Sequence, residues 1–258
     1  MNSTTKKYLF GCSSVILIFI VWQVISLTQN NSYIFPGIDE IFKSIGAIFI
    51  DLDSLTALGT TLLNVLIVII IAFMIALLVS FIYIIIPQSI YFFKPIINIL
   101  KAAPFAIISI YILYSFFEYK EIAPSIVAFL VVFPLMIEGI IGAIDNIDKN
   151  IIDDLKMLDI NTFKKFLYVY IPLCIPFIVT TFLQSFGLSL KVMIMSEYMN
   201  QVDDTVGGML IELKGNYEGY APLLAWLIII IVIVSIGDLL VKIISKHSNI
   251  ISTKQNQA

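Results

Sequence analysis

Long apolar runs constrain this chain more than any other feature. Six stretches, at about 8–27, 61–86, 96–117, 122–144, 171–195 and 222–245, are apolar over the roughly 20 residues a helix needs to cross a bilayer. With 60% hydrophobic and 13% charged residues and a mean hydropathy of +1.01, residues 1–258 read as one all-α, polytopic membrane domain. The polar stretches between the runs are too short for a soluble domain, so any nucleotide-hydrolysing or ligand-binding domain belongs to a separate chain. The first run follows Lys6 and Lys7, is long for a signal-peptide core and lacks a small-residue cleavage site around Trp22 and Gln23, so it reads as a retained anchor. Cys12 and Cys174 read as small apolar fillers, not as a disulfide.

Lysine sets the orientation, because all 15 basic residues are lysine. With the N-terminus inside, the cytosolic segments hold eleven of them, and the outer segments hold only Lys43, Lys120 and Lys214. Lys191 lies within the fifth span. That bias predicts two cytosolic termini. Absence of arginine beside abundant isoleucine fits an AT-rich bacterial genome. The outer segments are acidic, with Asp39, Glu40, Asp51, Asp53, Glu118, Glu121, Asp203, Asp204, Glu212 and Glu218. Between spans one and two, Pro36 to Ser54 carries apolar residues at helical spacing; it is either a surface-lying amphipathic helix or a packing connector. Prolines 104, 124, 134, 172 and 176 cluster in spans three to five, where freed carbonyls need neighbours or water. No internal repeat is evident.

The loop at 146–171 is the longest polar, helix-patterned stretch between two spans. Its first piece, about 150–158, sets Ile151, Leu155 and Leu158 on one side. Its second, about 162–170, does the same with Phe163, Phe166, Leu167 and Tyr170. Asp159 between them tolerates the left-handed conformation of a tight turn, and Asn161 is a good cap for the second piece. Such a pair of tethered helices can hand force to a soluble partner; an amphipathic loop resting on the membrane would show the same pattern.

The loop resembles the cytoplasmic signature of bacterial ABC-importer permeases: Glu-Ala-Ala, three residues, Gly, about a dozen residues, Leu-Pro. Asp153, Asp154 and Leu155 stand for Glu-Ala-Ala, Asp159 for the Gly, and Pro172 follows thirteen residues later. The wider chain is similar to the nitrate/sulfonate/taurine-type permeases: Trp22 and Pro36, Thr61-Leu62, Leu100-Lys101-Ala102-Ala103-Pro104, Phe133-Pro134 with Gly142, and Glu197 before Gly207-Gly208 fall in the family's order. This resemblance implies a homodimer of permeases, two cytosolic ATPase subunits that carry the ATP and Mg, and an extracytoplasmic solute-binding protein. It also implies that Asp153, Asp154, Leu155, Leu158, Asp159, Phe163 and Pro172 form the ATPase-coupling element.

On the fifth span Thr180, Gln184, Gly187 and Lys191 project within about 60° of one another at 100° per residue. A polar stripe in an apolar helix faces protein or water: either a translocation path or a helix contact. In a path, Lys191 would favour an anionic solute, and Glu197 would sit at the outer mouth or pair with lysine. Glu138 in the fourth span must avoid lipid. The glycine-bearing segment 196–221 reads as a re-entrant or docking loop for the binding protein. No catalytic set, metal site, nucleotide loop or nucleic-acid surface is visible; His247, the only histidine, lies in the polar tail. The expected function is therefore transport, not enzymatic catalysis. The alternative to an ATP-driven importer is an ion-gradient-driven transporter or channel acting without an ATPase.

Overall fold

The computed structural model describes residues 3–29, 31, 33–115, 120–215 and 219–255. Glu118, Glu218 and the predicted span end at 116–117 lie outside the described residues. Among the described residues every regular element is helical. The helices are α1 (Ser3–Gln29), α2 (Ile38–Ile50), α3 (Leu52–Ile85), α4 (Ile90–Ala102), α5 (Phe105–Ser115), α6 (Ala123–Asp145), α7 (Lys149–Met157), α8 (Thr162–Lys165), α9 (Ile171–Asn200), α10 (Val206–Gly215) and α11 (Ala221–Gln255). Two compact units form: Met1–Leu55 with Met209–Val232, and Thr56–Gly208 with Ile233–Ala258.

In the first unit the end of α1 grips the chain that follows it. The Trp22 indole donates to the Pro36 carbonyl at 3.1 Å, and Ser26 Oγ donates to the Phe35 carbonyl at 2.9 Å. The amide of Ile38 donates to Gln23 Oε1 at 3.2 Å. The amide of Gly37 donates to Glu40, three residues on, which closes the first turn of α2 with acidic residues at its positive end. Helix α2 is amphipathic as its spacing predicts, with Ile41 and Ile48 buried and Phe42 and Phe49 exposed. Asp51 accepts from the amide and hydroxyl of Ser54, and that hydroxyl bond leads in holding its carboxyl below the usual range. The amide of Tyr220 donates to the Tyr33 carbonyl at 3.0 Å, and Gly219 takes the positive φ of +85° that lets the chain turn there.

The second unit is built on the α6–α9 pair. Thr181, Ser185 and Ser189 are buried one helical turn apart along α9. On α6, a Cβ added to Gly139 would meet Thr181 Oγ1 at 2.2 Å, so the two backbones approach closely through small side chains, the usual way of packing helices in lipid. Ser109 on α5 shares a buried 2.8 Å hydrogen bond with Ser196 on α9, and Asn200 donates to Ser109 at 3.0 Å. Such polar pairs tie one membrane helix to another.

Three described helical stretches are long and apolar enough to cross a membrane: Leu52–Ile85, Ala123–Asp145 and Thr162–Asn200. Two shorter apolar ones lie at Ile16–Gln29 and Ala221–Gly237. Two expectations need correction. The third predicted span is broken: α4 and α5 meet at 92°. Pro104 has no N–H for the carbonyl four residues back and drives the residue before it out of helix, and Ala103 is extended at φ −74° and ψ 126°. The helix that holds the fifth predicted span starts before 171. Helix runs from Thr162 to Asn200, and a π-helical turn at Phe166–Tyr170 precedes Pro172. The wider turn admits the proline ring without ending the helix. The second piece of the predicted loop is thus continuous with the helix of the fifth span, while α7 alone is a separate short helix.

Candidate functional site

In the predicted coupling loop, Asp148 caps α7 by accepting from the amide of Asn150 at 2.9 Å. Asn161 caps the next helix in the same way, as predicted, accepting from Phe163 at 2.9 Å. Between them the amide of Ile160 donates to the Leu158 carbonyl at 2.9 Å, closing a three-residue turn centred on Asp159. Among the described non-glycine residues only Gln201 and Asp204 have positive φ, so Asp159 is not left-handed as the sequence suggested. A tight turn at negative φ explains how aspartate replaces glycine here.

The predicted apolar faces divide. Leu155 is only 6% exposed and Phe166 is buried, so neither side chain is open on the surface of this chain. Phe81 of α3 packs on Phe163 and Phe166 with ring centres 5.6 and 5.2 Å away. What remains outside is Ile151, Leu158, Ile160, Phe163, Leu167 and above all Met157, at 85% exposure, beside exposed Asp153, Asp154 and Asp159. Met157 and Ile160 were missed in the sequence, because helical periodicity assigns a face and cannot say which face the bundle covers.

Within the membrane, the broken span opens a cavity of about 380 Å³ lined by Leu100–Phe105, by Val131 and Leu135 of α6 and by Leu188 of α9. Lys101 stands at its wall and donates to both carboxylate oxygens of Glu138, at 3.0 and 2.7 Å. Glu138 therefore avoids lipid by pairing, and the pair stays about half exposed. Irregular backbone is tolerated at membrane depth where it lines such a cavity.

The predicted stripe on α9 also divides. Thr180, Gln184 and Lys191 are exposed along one side, whereas Gly187 is buried, with the position of an added Cβ 3.2 Å from Val234 of α11. Gly187 is a packing residue. Glu197 is 1% exposed and lines no opening in this chain. Its carboxylate takes the Thr61 hydroxyl at 3.0 and 3.1 Å and the amide of Gly207 at 3.2 Å, while Thr61 Oγ1 accepts from the amide of Val206 at 3.0 Å. A Cβ on Gly207 would fall 2.4 Å from Glu197 Cβ and from the Tyr198 nitrogen. The knot binds α3, α9 and the start of α10. Nearby, Lys120 donates to the Gln201 carbonyl at 2.9 Å and to Asp203 at 2.8 Å, and this bond and charge hold the Asp203 carboxyl below its usual range. No cluster of potential metal ligands occurs among the described residues.

The family described as "binding-protein-dependent transport system inner membrane component" matches residues 90–249. In sequence, no curated protein matches. Among solved structures, one titled as an amino acid ABC transporter with histidines superposes with a TM-score of 0.64 at 14% identity, over 75% of this chain and 92% of that one. At such identity the likeness speaks for the fold.

Proposed function

The chain belongs to the binding-protein-dependent transport system inner membrane components, and on that basis we propose that it forms, as a homodimer, the translocation path of an ATP-binding-cassette importer for a small anionic solute. Family membership makes it a permease subunit and not an enzyme, set in the inner membrane, served by a binding protein and by ATPases on separate chains. In the proposed assembly two ATPase subunits carry ATP and Mg on the cytosolic side, where both termini lie. The exposed apolar residues of the α7 region, Leu158 and Phe163 among them, enter a groove on the ATPase, with Asp153, Asp154 and Asp159 at its rim.

One observation carries the solute reading: Thr180, Gln184 and Lys191 form an exposed polar face on a spanning helix. A charged residue there is costly in lipid, so the face belongs to a water-filled path or to the second copy. In a path the Lys191 ammonium attracts an anionic group. The neighbour titled as an amino acid transporter is compatible with this, since an amino acid carries a carboxylate. Purification from native membranes should bring a soluble nucleotide-binding chain that is lost in Leu158→Glu/Phe163→Glu. Full retention by that variant would remove the coupling role. Uptake that survives Lys191→Ala unchanged would remove the anion reading.

A further inference from the structure

We propose that Lys165 is the tie that makes the coupling helix and the fifth span move as one body; the idea rests on the coupling role above. Its ammonium donates to the carbonyls of Leu155 at 2.5 Å and Leu158 at 2.7 Å. These oxygens lie at the C-terminal end of α7, where carbonyls have no intrahelical donor and where partial negative charge collects. Lys165 itself sits in the first turns of the continuous helix Thr162–Asn200, which carries Gln184 and Lys191 into the membrane.

Between the two helices the backbone is extended at Leu158 (ψ 125°) and at Asn161 (ψ 133°), with only the short turn at Asp159 between them. Such a joint can swing about its backbone dihedrals and absorb a displacement of α7. Two bonds from a single cation on the far side of the joint prevent that swing. The Leu155 side chain is itself buried. A displacement of α7 is then delivered to α9 at its first turns, and the π-helical turn keeps the helix continuous past Pro172. Lys165 is a positioning residue: it need not touch the ATPase or the solute.

The test uses the whole complex in proteoliposomes, with Cys12 and Cys174 replaced and Gln184→Cys as reporter for a membrane-impermeant maleimide. Labelling is compared without nucleotide and with Mg-ATP plus orthovanadate. In the parent the two states differ. In Lys165→Met the ATPase should stay bound and hydrolyse ATP, while the nucleotide-dependent change at 184 falls by about fivefold or more. Lys165→Arg, which keeps a cation and several donors, should restore it. A lysine important only for folding would lower yield without separating hydrolysis from the change at 184. A full change in Lys165→Met overturns the proposal. If that variant does not assemble, Lys165→Ala, which also lacks a donor for these carbonyls, carries the same comparison. A parent with no labelling change overturns the coupling reading, and the tie with it.

Discussion

Replacing Gly207 by alanine should loosen the junction between α9 and α10. The added Cβ would stand 2.4 Å from Glu197 Cβ and from the backbone nitrogen of Tyr198, and 2.7 Å from the Glu197 carbonyl carbon. Backbone in the middle of a helical turn cannot step aside, so α10 must retreat by about 1 Å to reach ordinary contact. That retreat breaks the 3.2 Å bond from the Gly207 amide to the Glu197 carboxylate and strains the Val206–Thr61–Glu197 chain. Overpacking costs about 1–3 kcal/mol. A buried hydrogen bond left open costs about 1–3 more. The sum, about 2–6 kcal/mol, corresponds to a fall in Tm of about 4–24 °C for a domain of this size. Reaction of buried Cys174 with a fluorogenic maleimide during heating reports the transition. Gly142→Ala is the control, because nothing lies within 4 Å of its added methyl. In a helix interior that change should be neutral or stabilise by about 0.5–1 kcal/mol. Equal Tm values for the two variants would refute the close approach and the knot built on it.

Pro104→Ala restores a backbone donor at the break, so α4 and α5 should straighten and the amides of Phe105 and Ala106 should gain about tenfold or more protection in hydrogen exchange; unchanged exchange would show that the bend is held by packing. Asp159→Gly should not stabilise the coupling platform, because Asp159 is not among the residues with positive φ; the added chain freedom should lower stability by about 0.5–1 kcal/mol, read from Tm in detergent. Lys120 lowers the Asp203 pKa in the folded protein, so this tie contributes above the unfolded carboxylate range, near pH 4, and is lost as pH falls through the lower folded value. The Tm gap between wild type and Asp203→Asn should therefore hold steady from pH 8 to about 5 and close in stronger acid; a gap that closes near neutrality would assign the tie to another group.

Hydropathy is a local property, and lipid demands internally satisfied backbone, so the helical segments were legible residue by residue. So were the amphipathic α2 and the Asn161 cap. Trp22 with Pro36, and Thr61 with Glu197 and Gly207, could be noted only as separate letters in a family's order. Folding joins each set through hydrogen bonds between distant residues, because a polar group buried in a bundle must find a partner wherever the chain supplies one. Where periodicity alone was used, tertiary contacts decided. Leu155 and Gly187 share faces with exposed residues but are covered by neighbouring helices. The Pro104 break and the Pro172 passage come from the same residue type; the backbone ahead of each proline turns extended in one and π-helical in the other. The role of Lys165 was invisible in sequence for the same reason. A lysine in a polar loop looks like any solvated charge until the fold sets the Leu155 and Leu158 carbonyls in front of it.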